Sequence, residues 1–85
     1  MIATTAALIA DDSHLELLRL HERGYAELAI LLLRDNGVSD VEILRDYTLP
    51  QPRADRAWER QYRAETGLRI RARDVKQRMR EMLMH

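Results

Sequence analysis

The segment from Leu15 to Leu33 constrains the fold most, because its apolar residues recur at helical spacing and cover more than half of a helix circumference. A helix through this segment can end at Gly37, since glycine suits the left-handed position that closes a helix. The pattern from Ser13 to Glu16 is that of a capping box and predicts that the helix begins there. So wide an apolar surface is typical of a central helix rather than one laid on the surface.

Gly24 interrupts this segment and leaves two alternatives open. A glycine inside a helix costs about 1 kcal/mol, which a closely packed neighbouring helix would explain. Alternatively, Gly24 ends a first helix and Tyr25 begins a second one. We favour one continuous helix with a kink allowed, and residues 3–10 can add a short helix before it.

The chain after Gly37 contains two turn regions that separate shorter helices. Ser39 to Glu42 repeats the capping-box pattern and predicts a short helix that continues to Arg45. Pro50 and Pro52 end it, because each proline removes an amide donor and drives the residue before it into an extended conformation.

Two more helices are expected in the second half. Pro52 suits the first turn of a helix from about residue 53 to residue 66, and Gly67 suits its end. A last helix is predicted from about residue 72 to residue 84, with one apolar side: Ala72, Val75, Met79, Met82 and Leu83. The whole chain, residues 1–85, is therefore predicted to be a single all-α domain, a small compact bundle of four to five helices.

Composition narrows the class of protein further. The 85 residues include no cysteine, which excludes a disulfide-stapled secreted scaffold and any thiolate metal site. The first ten residues are apolar, but they hold no basic residue and are followed by Asp11 and Asp12, so they make a poor signal peptide and are too short for a membrane span. A cytoplasmic protein without membrane contact is expected.

The formal net charge of zero hides an uneven distribution along the chain. Residues 1–44 hold three basic and eight acidic residues, a net charge of −5. Residues 45–85 hold eleven basic and six acidic residues, a net charge of +5. A uniformly basic protein is therefore excluded, whereas a protein that turns one basic face toward an anionic partner is not.

The predicted third helix carries a row of arginines one turn apart. They fall within an arc of about 80°, and Ala54, Trp58 and Tyr62 lie on the opposite side of the helix. Since the aromatic side is expected to face the core, the arginines face outward: Arg53, Arg56, Arg60 and Arg63. Such a row can bind a phosphate backbone or an acidic protein groove. The alternative is a solvated face whose arginine stems cover the aromatic side chains.

The last predicted helix extends the basic surface with Arg73, Lys76 and Arg80 beside its apolar side. With the four arginines of the preceding helix, these residues form the predicted binding site for nucleic acid or another anionic partner. The apolar surfaces are expected either to fill the core or to form a self-association face, so a homodimer is left open.

The segment from Ala26 to Leu44 resembles the first half of a helix-turn-helix motif. It combines an apolar helix closed by Gly37, an apolar residue, the Ser39 cap, and a short helix with an apolar pair. The resemblance implies that the following helix, which carries the arginine row, enters the major groove of DNA. The connection from Tyr47 to Pro52 is longer than the usual turn of this motif.

Patterns that accompany catalysis or cofactor binding are not found. His14 and His21 lie two helical turns apart, about 10 Å, which is too far to share one metal ion, and no thiol is present. The three glycines are isolated, so they form no loop that could cradle a phosphate. We therefore expect a non-catalytic protein without metal or cofactor.

Two functions fit these features. The first is a small DNA-binding regulator of helix-turn-helix type that uses the arginine-rich helix face. The alternative is a small adaptor or inhibitor, of the kind that phages and mobile elements encode, whose acidic half or arginine face docks a larger, oppositely charged protein. Size alone suggests that second class.

Overall fold

The computed structural model describes the backbone of residues 2–85 and the side chains of residues 15–85. This part of the chain forms four helices and no strand: α1 Ile2–Asp35, α2 Asp40–Glu42, α3 Pro52–Thr66 and α4 Ala72–Leu83. α2 continues directly into a π-helical turn, Ile43–Tyr47. The predicted all-α fold is confirmed.

α1 is one continuous helix of 34 residues. At a rise of 1.5 Å per residue it spans about 51 Å, close to the longest dimension of the molecule, 53 Å. The expected continuity through Gly24 is confirmed. The predicted start at Ser13 is wrong, because the alanine-rich residues 3–10 favour the helix and extend it back to Ile2. The side chain of Ser13 lies outside the described residues.

The other helix ends follow the expected turn chemistry. Gly37, just beyond α1, has a φ of 82°, and Gly67 ends α3 with a φ of 76°. The Ser39 hydroxyl accepts a hydrogen bond from the backbone N–H of Glu42 at 3.2 Å, which caps α2. α3 begins at Pro52, within one residue of the prediction, and α4 ends one residue early, at Leu83.

The core lies mainly between α1 and α4, with contributions from the π-helical turn and the α3–α4 linker. Its buried residues are aliphatic side chains and one methionine: Ala26, Ile30, Ile43, Leu68, Ile70, Val75 and Met79. The predicted apolar side of α4 is confirmed, with Ala72, Val75 and Met79 buried and Met82 and Leu83 packed against the core.

α1 contributes only one face to this core. Ala26 and Ile30 are buried, whereas Leu17, Leu20, Leu28, Leu31 and Leu32 remain between 43% and 61% exposed. The expectation that α1 is a central helix is therefore wrong for the single chain. The physical reason is that α3 and α4 pack against the same side of α1 and leave the other side open.

Candidate anion-binding groove

The orientation of α3 is set by an aromatic cluster between α3 and α1. The indole N–H of Trp58 donates to the hydroxyl of Tyr25 at 2.8 Å, and the rings of the two residues meet edge to face with centroids 4.9 Å apart. Tyr62 packs on both of these rings. Its hydroxyl lies 2.8 Å from Nδ1 of His21, so this partly buried imidazole is hydrogen-bonded to α3.

This cluster has two consequences for α3. Burial, with Tyr25 as a second cause, raises the pKa of Tyr62, so its hydroxyl stays protonated across the physiological pH range. Because Trp58 and Tyr62 face α1, the opposite side of α3 faces solvent and presents its arginines there. Ala54 in the first turn, expected on the aromatic side, is exposed.

The solvent side of α3 and the α3–α4 linker together form an open groove of about 370 Å³. α3 supplies three of the predicted arginines, and the linker adds two further ones. The lining residues are Arg56, Glu59, Arg60, Arg63, Arg69, Ile70 and Arg71. We call this surface the arginine groove.

Glu59 is the one acidic residue in the arginine groove, and it has a structural partner. Its carboxylate accepts a hydrogen bond from the backbone N–H of Ala72 at 2.7 Å. This contact caps the N terminus of α4, where a negative charge is favoured by the helix dipole. Glu59 thereby fixes α4 against α3 and holds the linker arginines beside the helix arginines.

The arginine groove concentrates unneutralised positive charge. With side chains that the structure describes, none of its five arginines forms an ion pair. Five arginines and Glu59 give the groove a formal charge of +4. Arg56 and Arg60 are also one turn apart on the same helix, a spacing at which like charges repel. A bound anion would relieve this repulsion.

The linker arginines were not among the predicted site residues, although the sequence contains a signal for them. Leu68 and Ile70 are buried, at 8% and 2% exposure, and Arg69 and Arg71 alternate with them. In an extended segment, alternate residues point to opposite sides. A linker with an apolar side thus places both arginines on its other side, toward the groove.

The remaining predicted site residues lie elsewhere. Arg53 is exposed in the first turn of α3 and does not line the groove. Arg73 is exposed and lies 3.7 Å from Asp74. Lys76 donates to Asp55 at 2.7 Å and to the backbone carbonyl of Leu49 at 2.6 Å.

Arg80 is likewise engaged in internal contacts. It donates to the carbonyl of Thr48 at 2.8 Å and to the side chain of Gln77 at 2.7 Å. The structure therefore brings together three of the seven predicted residues, Arg56, Arg60 and Arg63. It gives Lys76 and Arg80 contacts that hold the chain before α3 against α4.

The local elements behind the helix-turn-helix resemblance are present in the expected order. α1 ends before Gly37, Ser39 caps α2, and the π-helical turn follows with Ile43 fully buried. The turn is braced by Arg34, whose guanidinium donates two hydrogen bonds to Asp40, at 2.8 and 2.9 Å. α3, with three groove arginines, is the next helix along the chain.

Comparisons with protein-family models, with curated proteins and with solved structures find no match to this chain. The described side chains contain no cluster of three or more histidine, aspartate or glutamate residues that could hold a metal ion. The helices of residues 2–85 do not combine the length and apolarity that a membrane span requires.

Proposed function

We propose that the protein is a small non-catalytic nucleic-acid-binding protein that holds the phosphate backbone of duplex DNA in the arginine groove. The observation that carries the proposal is the convergence of five arginines from two segments on one open surface, where none forms an ion pair with a side chain of residues 15–85. Guanidinium groups bind phosphate with charge-assisted, often bidentate hydrogen bonds.

Two features favour a binding surface over a face that is merely solvated. Elsewhere in the described chain, most basic residues have an acidic neighbour, as in the pairs Arg45–Asp46 and Arg78–Glu81 at 3.0 and 2.9 Å. Arg19, Arg53 and Arg80 are the exceptions among the described side chains. In the groove the arginines stand next to one another instead. Glu59 offsets only one of the five positive charges, and its Oε2 is engaged in capping α4.

The proposal predicts a steep salt dependence of DNA affinity. If all five groove arginines contact phosphates, the slope of log affinity against log salt should be about −4.5. We expect fluorescence anisotropy with a labelled duplex, recorded at several salt concentrations, to give this slope. The double variant Arg56→Glu/Arg60→Glu should weaken binding about 100-fold or more at low salt.

A matched control separates the groove from the overall charge. The variant Arg45→Glu/Arg73→Glu changes the net charge by the same amount at two exposed positions outside the groove. It should keep most of the affinity, and circular dichroism should show that both variants remain helical. Equal losses in the two variants, or no binding of the natural chain to DNA at low salt, would contradict the proposal.

The test also addresses the adaptor alternative. If duplex and single-stranded DNA both fail to bind, the same variants can be compared in co-purification from a lysate. A stoichiometric acidic protein that Arg56→Glu/Arg60→Glu no longer retains would identify the groove as a protein-docking surface instead.

A further inference from the structure

The exposed side of α1 carries a regular apolar stripe. Its members fall within an arc of about 80° of the helix, and their spacing along the chain is three, four, four and three residues. They are Leu17, Leu20, Gly24, Leu28 and Leu31. The stripe lies on the side of α1 away from Ala26 and Ile30, the residues buried against the rest of the domain.

Gly24 at the centre of the stripe has open space around it in the described part of the single chain. A Cβ atom added there would meet no atom within 4 Å, and the residue sits inside a regular helix where glycine is a poor helix former. Around it the surface forms a groove of about 490 Å³, bounded on one side by Tyr25 and Tyr62. A glycine there lets a second helix backbone approach closely.

The spacing of the stripe is the same in both chain directions. An antiparallel copy of α1 centred on Gly24 therefore brings Leu17 opposite Leu31 and Leu20 opposite Leu28. The two copies of Gly24 then meet at the crossing point.

The charges along one edge of the stripe have the same symmetry. Glu16, Arg23, Glu27 and Arg34 alternate in sign and are separated by seven, four and seven residues. In an antiparallel pair the same edges face each other, so Glu16 lies opposite Arg34 and Arg23 lies opposite Glu27. The midpoint of each charge pair is position 25, one residue beyond Gly24. This offset is expected, because helical side chains lean toward the N terminus of their own helix.

The edge residues are accessible for such contacts. The side chains of Arg23, Glu27 and Arg34 are 72%, 59% and 48% exposed. Arg34 is already paired with Asp40 through Nε and Nη2, and its Nη1 remains available as a donor. A parallel pair would instead bring this charged edge against the opposite edge, which holds Tyr25 and Leu32.

We propose that the stripe is the interface of an antiparallel homodimer in which the α1 helices of two chains cross at Gly24. The occupant of the apolar surface is thus a second copy of this chain, identified by its matching apolar spacing and its complementary charges. This inference does not depend on nucleic-acid binding.

Sedimentation equilibrium of the full chain from about 1 μM upward tests whether the dimer forms. The variant Leu20→Gln/Leu28→Gln should weaken the dimer about 100-fold or more, because four leucine side chains lose their apolar contacts. The control Val41→Gln/Leu49→Gln changes two similarly exposed apolar residues outside α1 and should leave the association unchanged. A natural chain that is still monomeric near 1 mM overturns the proposal.

Introduced cysteines test the direction of the pair, since the natural chain contains none. Mixing Leu17→Cys with Leu31→Cys under mild oxidation should give a disulfide-linked heterodimer, because antiparallel packing brings these positions together. Each variant alone should give little cross-linked product. Strong self-linking of either single variant indicates a parallel pair and overturns the antiparallel proposal.

A charge exchange tests the complementary edge. The variant Arg23→Glu/Glu27→Arg keeps opposite charges facing each other in its own dimer and should self-associate like the natural chain. When the variant is mixed with the natural chain, a dimer of one copy of each would place like charges opposite each other at these positions. Such mixed dimers should therefore be rarer than random pairing predicts. Random pairing would show that Arg23 and Glu27 do not face each other across the interface. This outcome overturns the proposed charge pairing even if the variant Leu20→Gln/Leu28→Gln dissociates.

Discussion

At the scale of single residues, the three glycines have different physical roles. Gly37 and Gly67 have positive φ angles, a conformation in which any other L-residue is strained. The N–H of Gly67 donates to the carbonyl of Arg63 at 2.8 Å and closes α3. Gly24 is helical and needs no special conformation, so its effect on the single chain is only a lower helix propensity.

Substitution by alanine should therefore change the free energy of unfolding in opposite directions at Gly67 and Gly24. Gly67→Ala should destabilise the fold by about 1–2 kcal/mol, because alanine must adopt the left-handed region. Gly24→Ala should stabilise it by up to about 1 kcal/mol. Urea denaturation at a concentration where the chain is monomeric measures both. A loss of stability for Gly24→Ala would show that this position is packed within the single chain.

At the scale of elements, two basic residues of α4, Lys76 and Arg80, connect segments of the chain. Lys76 contacts Asp55 in the first turn of α3 and the carbonyl of Leu49 before it. The pair is shielded, with side chains 16% and 21% exposed. Burial alone would raise the pKa of Asp55, but hydrogen bonds from Lys76 and from the backbone N–H of Gln51 outweigh it, and the pKa lies below the ordinary range.

Lys76→Met should therefore cost stability without reducing DNA affinity. We expect a loss of about 1–3 kcal/mol at neutral pH, because the carboxylate of Asp55 and the carbonyl of Leu49 lose their donor. The stabilisation from the lowered pKa of Asp55 is present above the ordinary aspartate pKa and disappears as the pH falls through the folded-state value.

The stability difference between Lys76→Met and the natural chain should thus become smaller in acid, where only the contact of Lys76 with the Leu49 carbonyl still distinguishes them. Anisotropy at a temperature where Lys76→Met is folded should give nearly unchanged DNA affinity. A large drop in affinity with unchanged stability would instead place Lys76 in the binding surface.

At the scale of the whole molecule, a net charge of zero coexists with a groove of +4. Many of the other charges are neutralised locally, for example Arg34 by Asp40 and Arg78 by Glu81. The arginine groove concentrates like charges that destabilise the free protein and that a polyanion would neutralise. If the groove binds a polyanion as proposed, stability and anion binding are therefore coupled.

This coupling predicts that duplex DNA raises the melting temperature. At a free concentration one hundred times the Kd, binding adds about 2.7 kcal/mol, which for a domain of this size is roughly 10 °C or more. Arg56→Glu/Arg60→Glu should lose this increase while melting no lower than the natural chain in the absence of DNA. Scanning calorimetry measures these melting temperatures. If DNA raised the melting temperature of both proteins equally, the groove would not be the binding site.

Much of the fold could be predicted from local sequence signals. Pro52, Gly67 and Gly37 mark helix ends because their backbone preferences act whatever the rest of the chain does. The outward row of Arg56, Arg60 and Arg63 follows from the positions of Trp58 and Tyr62 on the other side of α3. The predicted helix start at Ser13 was wrong, because a capping pattern defines a helix start only where the preceding residues are not themselves helical.

The sequence by itself determined the helices, most of their ends, and which residues share a helix face, since these depend on backbone preferences and on a fixed helical period. Only the tertiary structure decided what covers each face. It left the leucines of α1 exposed, gave Lys76 and Arg80 internal partners, and placed Arg69 and Arg71 beside α3. These outcomes depend on contacts between segments distant in the chain, which the period of a single helix does not specify.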